Sequence, residues 1–281
     1  MKNKDNINRF ILFLAISLFV IVLASLTVPL FFPVDLGKTD LKNRLIPPSF
    51  LEGGKPGYFL GTDNLGRDFA IRLAFATRNS VFIAFSGMLI SALIGTTLGI
   101  LGGLYRGWAD SVIMFLIDAR LSIPFIIIAI VCASIFGTEK TTMILIIGLT
   151  GWASFARLVR GQIIQLRESA FIEASRAMGS SSMRILFEHI PRNIASPLIV
   201  HSTMRISSFI LVESSLSFLG MGILPPDVSL GVMVSNGRDY MINFWWLSII
   251  PSLIIVIITL DISLIGDWLR DRLDPKLQNN V

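Results

Sequence analysis

From Phe10 to Phe32 the chain runs for 23 residues without a charged side chain. No other feature narrows its fold so far. In hydrocarbon every backbone N–H and C=O must be satisfied within the protein, so an uncharged run longer than about 18 residues is built as a membrane-crossing helix. Further apolar runs follow, and a mean hydropathy of +0.72 with 53% hydrophobic and 15% charged residues extends the constraint to all 281 residues. A soluble enzyme is excluded. The basic segment MKNKDNINR at 1–9 would suit a secretory leader, but the apolar run exceeds the ~7–15 residues of a leader core and no small-residue cleavage site closes it. The expectation is an uncleaved first helix.

Asn79–Tyr105 is a second charge-free run, with Gly87, Gly95, Gly99, Gly102 and Gly103 spaced for close helix approach in lipid. A third span is expected over about Ser111–Phe136, carrying Asp118 and Arg120 and kinked at Pro124. Thr141–Ala156 makes a short fourth. The fifth, about Pro197–Leu219, holds His201, Arg205 and Glu213. The sixth runs from Phe244 to about Gly266, with Trp245 and Trp246 as an interfacial belt. The fold class is therefore all-α, a polytopic membrane protein with six transmembrane helices.

Six crossings put both termini on one side. Lys and Arg number 13 on the side of the termini and nine on the other, which orients the chain in the cytoplasmic membrane with both termini cytoplasmic. The net charge of +5 then reflects orientation and contact with membrane lipid, not nucleic-acid binding. The chain divides into a cytoplasmic N-terminus and first helix (1–32), an external Pro/Gly-rich segment (33–78), a core of five helices (79–266) containing a cytoplasmic loop (157–195), and a cytoplasmic tail (267–281). Cys132 is the single cysteine and lies in an apolar run, so it has no intrachain disulfide and is expected to be packed and inert.

The loop contains EASRAMGSSSMRILFEHIP at 173–191, unusually polar for this chain. Leu166, Ala170, Ala174 and Ala177 recur at helical spacing, and Gly179 can end that short helix in the left-handed region. Ser181 or Ser182 can cap a second one bearing Met183, Leu186, Phe187 and Ile190 on one face, closed by Pro191. Two short amphipathic helices form an elbow beneath the membrane. Left alone, such helices could simply lie on lipid headgroups.

The pattern Glu173-Ala174-x(4)-Gly179 resembles the cytoplasmic loop of binding-protein-dependent ABC importer permeases. Its company strengthens the likeness: GTDNLGRD at 61–68, ESSLSFLGMGILPPD at 213–227, NGRDYM at 236–241 and GDWLRDRLDPKL at 266–277 are similar to the peptide and nickel branch, in particular its second-type subunit. Residues 1–32 fit that branch's extra first helix. Two positions depart from the pattern: the second alanine after the glutamate is Ser175, and Pro191 comes one residue early. The resemblance implies a type I ABC importer permease fold in which Glu173, Ala174, Ser175, Met178 and Gly179 couple to an ATPase. It also implies a homologous sister permease, two ATPase subunits and an extracytoplasmic substrate-binding protein. ATP and Mg would be bound by the ATPases, and no cofactor by this chain. Short peptides are the first expectation for the substrate, with nickel or another metal in a small chelate as the alternative.

Other chemistries find little support in the residues. The one candidate phosphate-binding loop, at Gly37-Lys38-Thr39, has Phe32 where its first glycine belongs. Asp118 with Asp261, or His201 with Ser202, would be needed for a membrane-embedded enzyme, and adjacent side chains on a helix point about 100° apart. An enzyme or channel remains a distant alternative. Two histidines and one cysteine, scattered, supply no metal cage. Ionisable groups inside a membrane face an interior or a watery path, so Glu213 with Ser214 and Ser217 are candidates for the translocation path, or else Glu213 is a hydrogen-bonded lock of the fifth helix to a sister subunit. Asp118 and Arg120 are expected either to pair with neighbours in other helices or to snorkel towards the cytoplasm. Asp63, Arg67 and Asp68 are expected to stitch a turn into an architectural clasp.

Overall fold

The computed structural model describes residues 2–32, 35–105, 107–179 and 188–273. Its helices are α1 (Lys2–Phe31), α2 (Phe69–Leu104), α3 (Trp108–Ser122), α4 (Phe125–Phe136), α5 (Lys140–Arg167), α6 (Ala170–Ala177), α7 (Ile190–Leu216), α8 (Leu230–Gly237) and α9 (Trp246–Leu273). Five segments are long and apolar enough to cross a membrane: α1, α2, α5, α7 with the π-turn after it, and α9. The expected third span is instead a broken pair, α3 and α4, bent by 85°, which makes a sixth crossing when the two are taken together. Pro124 explains the break. It lacks an N–H, and it pushes Ile123 before it into extended geometry at φ −96° and ψ 122°.

The core is organised around α2 and α5, which pack along most of their length. Glycine makes that approach possible. A Cβ on Gly99 would fall 2.7 Å from the Ala156 carbonyl oxygen, and one on Gly103 would fall 2.5 Å from Ile163 Cβ. From the other helix, a Cβ on Gly148 would meet Ile90 at 2.8 Å. In lipid there is no hydrophobic gain from bringing helices together, so close van der Waals contact of this kind supplies the attraction. Ser91 adds a hydrogen bond from its Oγ to the Gly148 carbonyl at 2.9 Å. Around this pair, α7 packs on both helices, α9 packs on α7 and α8, and α1 covers α2 and α9. Phe13, Phe19 and Leu30 of α1 are exposed, as a lipid-facing helix requires. Cys132 is a free thiol packed partly against the core.

Several boundaries differ from the sequence expectation, each for an identifiable reason. The helix expected from Asn79 begins at Phe69, because Asp68 caps it through a 3.0 Å bond from the Ile71 N–H and Arg72 is buried with an acidic partner. Helix α5 does not stop at Ala156 but continues to Arg167, since the arginines on its last turns are held by neighbouring elements. Pro191 stands in the first turn of α7, and most of the helix expected before it lies outside the described residues. In the first turn its missing N–H costs nothing. Trp246 is 5% exposed and packs edge-on between Phe244 and Trp245, so it belongs to the core and only Trp245 remains for an interfacial belt. Ser181, Ser182, Met183, Leu186 and Phe187 lie outside the described residues, and Ile190 is buried in the first turn of α7.

Candidate functional site

At the end of α5, Glu168 and Ser169 turn the chain, and the Ser169 carbonyl accepts from the N–H groups of Ile172 and Glu173 to start α6. The eight-residue helix has two unlike sides. Ile172 and Ser175 are buried, at 1% and 5% exposure, whereas Glu173, Ala174, Ala177 and Met178 face outward and Met178 is 83% exposed. Gly179 follows with φ +87°, a left-handed geometry that strains any residue with a Cβ. Among the described residues no other atom crowds it, and it is the backbone conformation that calls for glycine there. The exposed side offers one carboxylate, two small methyls and a flexible thioether, a surface that allows close approach by another protein.

The element that carries α6 is tied down firmly. Arg160 forms a two-pronged pair with Asp110 of α3, at 2.5 and 2.7 Å, and Arg157 pairs with Asp118 at 2.5 Å. Arg167 donates to the carbonyls of Gly103 and Leu104 at the end of α2, at 2.9 and 2.7 Å. Such contacts tie α5 to α3 and to the C-terminal end of α2.

Glu213 lies farther along α7 and is completely buried. It accepts from Ser217 Oγ at 2.7 Å and from Ser80 Oγ of α2 at 3.0 Å. Ser80 Oγ in turn accepts from the Leu230 N–H at the start of α8, and Ser229 Oγ sits 3.3 Å from Ser217 Oγ. The cluster thus joins α2, α7 and α8 within one chain. Ser214 is beside it, on the side where Gly231 packs so closely that a Cβ would meet Ser214 Cα at 2.5 Å. Ser214 also borders an open cavity of about 420 Å³, lined largely by apolar side chains such as Leu211, Phe218 and Val256.

On the opposite end of α2, Asp63 accepts from the N–H groups of Leu65 and Arg67 at 2.8 and 3.0 Å and pairs with Arg67 Nε at 2.7 Å and Arg72 Nε at 3.2 Å. Thr62 and Asp68 form an isolated antiparallel bridge across the same turn. Gly66, at φ +76°, lies under the Asp40 backbone with no room for a Cβ.

Residues 95–279 match the family described as the binding-protein-dependent transport system inner membrane component. The chain belongs to this family of transport permeases. The permease is 39% identical over 271 residues to the dipeptide transport system permease protein DppC of Haemophilus influenzae, covering 96% of this chain and 92% of that one. It is 37% identical over 265 residues to the glutathione transport system permease protein GsiD of Pectobacterium atrosepticum, covering 94% and 87%. Among solved structures, an inward-facing form of the MetNI methionine ABC transporter shares the fold with a TM-score of 0.58 at 20% identity, over 72% of this chain and 96% of that one. The permease therefore has the type I ABC importer permease fold and is a transport subunit of the inner membrane, not an enzyme. ATPase, substrate-binding and sister-permease partners come with that family in general.

The residues named from the sequence fall into three separate places in the permease. Glu173, Ala174, Ser175, Met178 and Gly179 lie together on α6 and its turn, though Ser175 faces inward. Glu213 and Ser217 meet in the buried cluster, with Ser214 at its edge. Asp63 and Arg67 form the clasp, and Asp68 contributes as the cap of α2. Ser80, Ser229 and Arg72 were not named. Ser80 lies 133 positions from Glu213, and no local spacing announces such a pair. Arg72 could have been suspected as the arginine that falls one helical turn inside a capped start.

Proposed function

We propose that this permease forms half of the translocation pore of an ATP-driven importer for short peptides, with a homologous sister permease forming the other half. Two partner ATPases bind ATP and Mg and perform the hydrolysis, and an extracytoplasmic binding protein delivers the peptide. Both termini are cytoplasmic, and the exposed side of α6, from Glu173 to Met178, seats on an ATPase. Gly179 sets the angle at which the chain leaves it. Closing of the ATPases would push α6 and, through the arginine ties of α5, shift the membrane helices between inward and outward access. The observation that carries the substrate is the likeness over more than nine-tenths of the chain to permeases named for dipeptides and glutathione.

Reconstitution in proteoliposomes tests this reading. Uptake of a labelled dipeptide is expected only when ATP, both ATPases, the sister permease and the loaded binding protein are all present. Flux of the peptide down its gradient through this chain alone, without ATP, would make it a channel or carrier.

A further inference from the structure

Two arginines in the membrane region are not used by any of the three places described above. Arg120 lies near the end of α3 and Arg205 in the middle of α7. Counted at 1.5 Å per residue, Arg120 is about 18 Å along α3 and Arg205 about 22 Å along α7 from the ends nearest α6, a similar depth in a hydrocarbon core about 30 Å thick. Arg120 lies over the Phe125 ring at 5.9 Å and Arg205 over the Phe209 ring at 4.6 Å, and α4, which begins at Phe125, packs on α7, which carries Phe209. His201 lies one turn before Arg205 on α7.

Neither arginine has an acidic partner within 4 Å among the described residues. Asp118, the nearest acid in sequence, is held by Arg157. Among the described residues, Nε of Arg120 and Nε of Arg205 are both buried with no hydrogen-bond acceptor, and Arg120 donates to the Ile123 carbonyl that the helix break leaves free. Broken backbone at membrane depth is tolerated where it is covered by protein or lines a watery cavity, and uncompensated cations there mark a pathway.

We propose that Arg120 and Arg205 form a passing station for the terminal carboxylate of the transported peptide, an inference that rests on the peptide reading above. Every linear peptide ends in that group whatever its side chains, and planar guanidinium forks bind it with two parallel hydrogen bonds. One such station recognises the class without reading the sequence. A station on a transport path must also release its occupant, and two cations without further enclosure suit a transient hold.

The test uses the complete transporter in proteoliposomes, with labelled alanyl-alanine as the probe and peptide moved per ATP hydrolysed as the readout. Arg120→Gln/Arg205→Gln is expected to lower that ratio about tenfold, the scale of losing charge-assisted hydrogen bonds, while loaded binding protein stimulates hydrolysis within about twofold of wild type. Arg205→Lys, which keeps a cation, should retain more transport than Arg205→Gln. An unchanged ratio in the double variant, or a lysine no better than glutamine, overturns the inference while leaving the peptide reading intact. A parallel fall in uptake and stimulated hydrolysis, or less sister permease co-purifying with the variant, assigns the pair a structural role towards that subunit and also overturns it. If the wild-type transporter does not take up alanyl-alanine, the peptide reading itself fails, and this inference with it.

Discussion

Gly179 and Glu213 make different demands on the chain, the one a left-handed backbone and the other a buried acceptor. Valine at Gly179 would strain the backbone by about 1–2 kcal/mol, small against the burial of the membrane helices. Gly179→Val is therefore expected to reach the membrane at near-normal abundance, by immunoblot, yet lose most peptide uptake and the response of ATP hydrolysis to loaded binding protein. Wild-type coupling in that variant would remove Gly179 from the account. Glu213→Ala should act differently, because it leaves the buried hydroxyls of Ser80 and Ser217 without their acceptor. The cost is about 1–3 kcal/mol, read as a lower unfolding midpoint of the purified permease, whereas Glu213→Gln keeps an acceptor and should lose less. The sequence exposed Gly179 because a glycine after a short amphipathic run is a local signal, and the structure gives it φ +87°. It left Glu213 between two roles, since its partner Ser80 is on another helix and local spacing carries no trace of that contact.

Among the helices, the α2–α5 pair carries most of the fold, and its glycines were visible in advance as small residues at close intervals. A leucine at Gly99 would drive its side chain into the Ala156 carbonyl and Val159, where a Cβ alone already falls at 2.7 and 2.8 Å. Gly99→Leu is expected to abolish accumulation of folded permease, while Gly161→Ala, with nothing near its Cβ, should be tolerated or slightly stabilising. Comparable yields of the two variants after size-exclusion chromatography would contradict the packing described. The element boundaries were harder to read than the pairing. A search for charge-free runs stops at every arginine, so it places the start of α2 and the end of α5 too far inside, where Arg72, Arg157 and Arg160 are in fact helical and paired. Proline is ambiguous in a sequence for a related reason: it suits a helix's first turn as well as the stretch after a helix ends, and Pro191 stands in a first turn.

For the molecule as a whole, the central claim is that this permease has no power stroke of its own and receives one through α6. The composition, the six-crossing pattern and the family membership could all hold without α6 being the contact, so the contact itself must be measured. The direct measurement places single cysteines at Met178 and, as a control, at the exposed Lys42 between α1 and α2, in a Cys132→Ala background within the complete transporter. A short cysteine-reactive crosslinker should join Met178→Cys to an ATPase subunit, more efficiently or less as ATP is added, and Lys42→Cys to neither ATPase. In intact cells a membrane-impermeant thiol reagent should label Lys42→Cys and spare Met178→Cys. Crosslinking of Met178→Cys only to lipid or to the sister permease, or its labelling from outside the cell, would contradict the account.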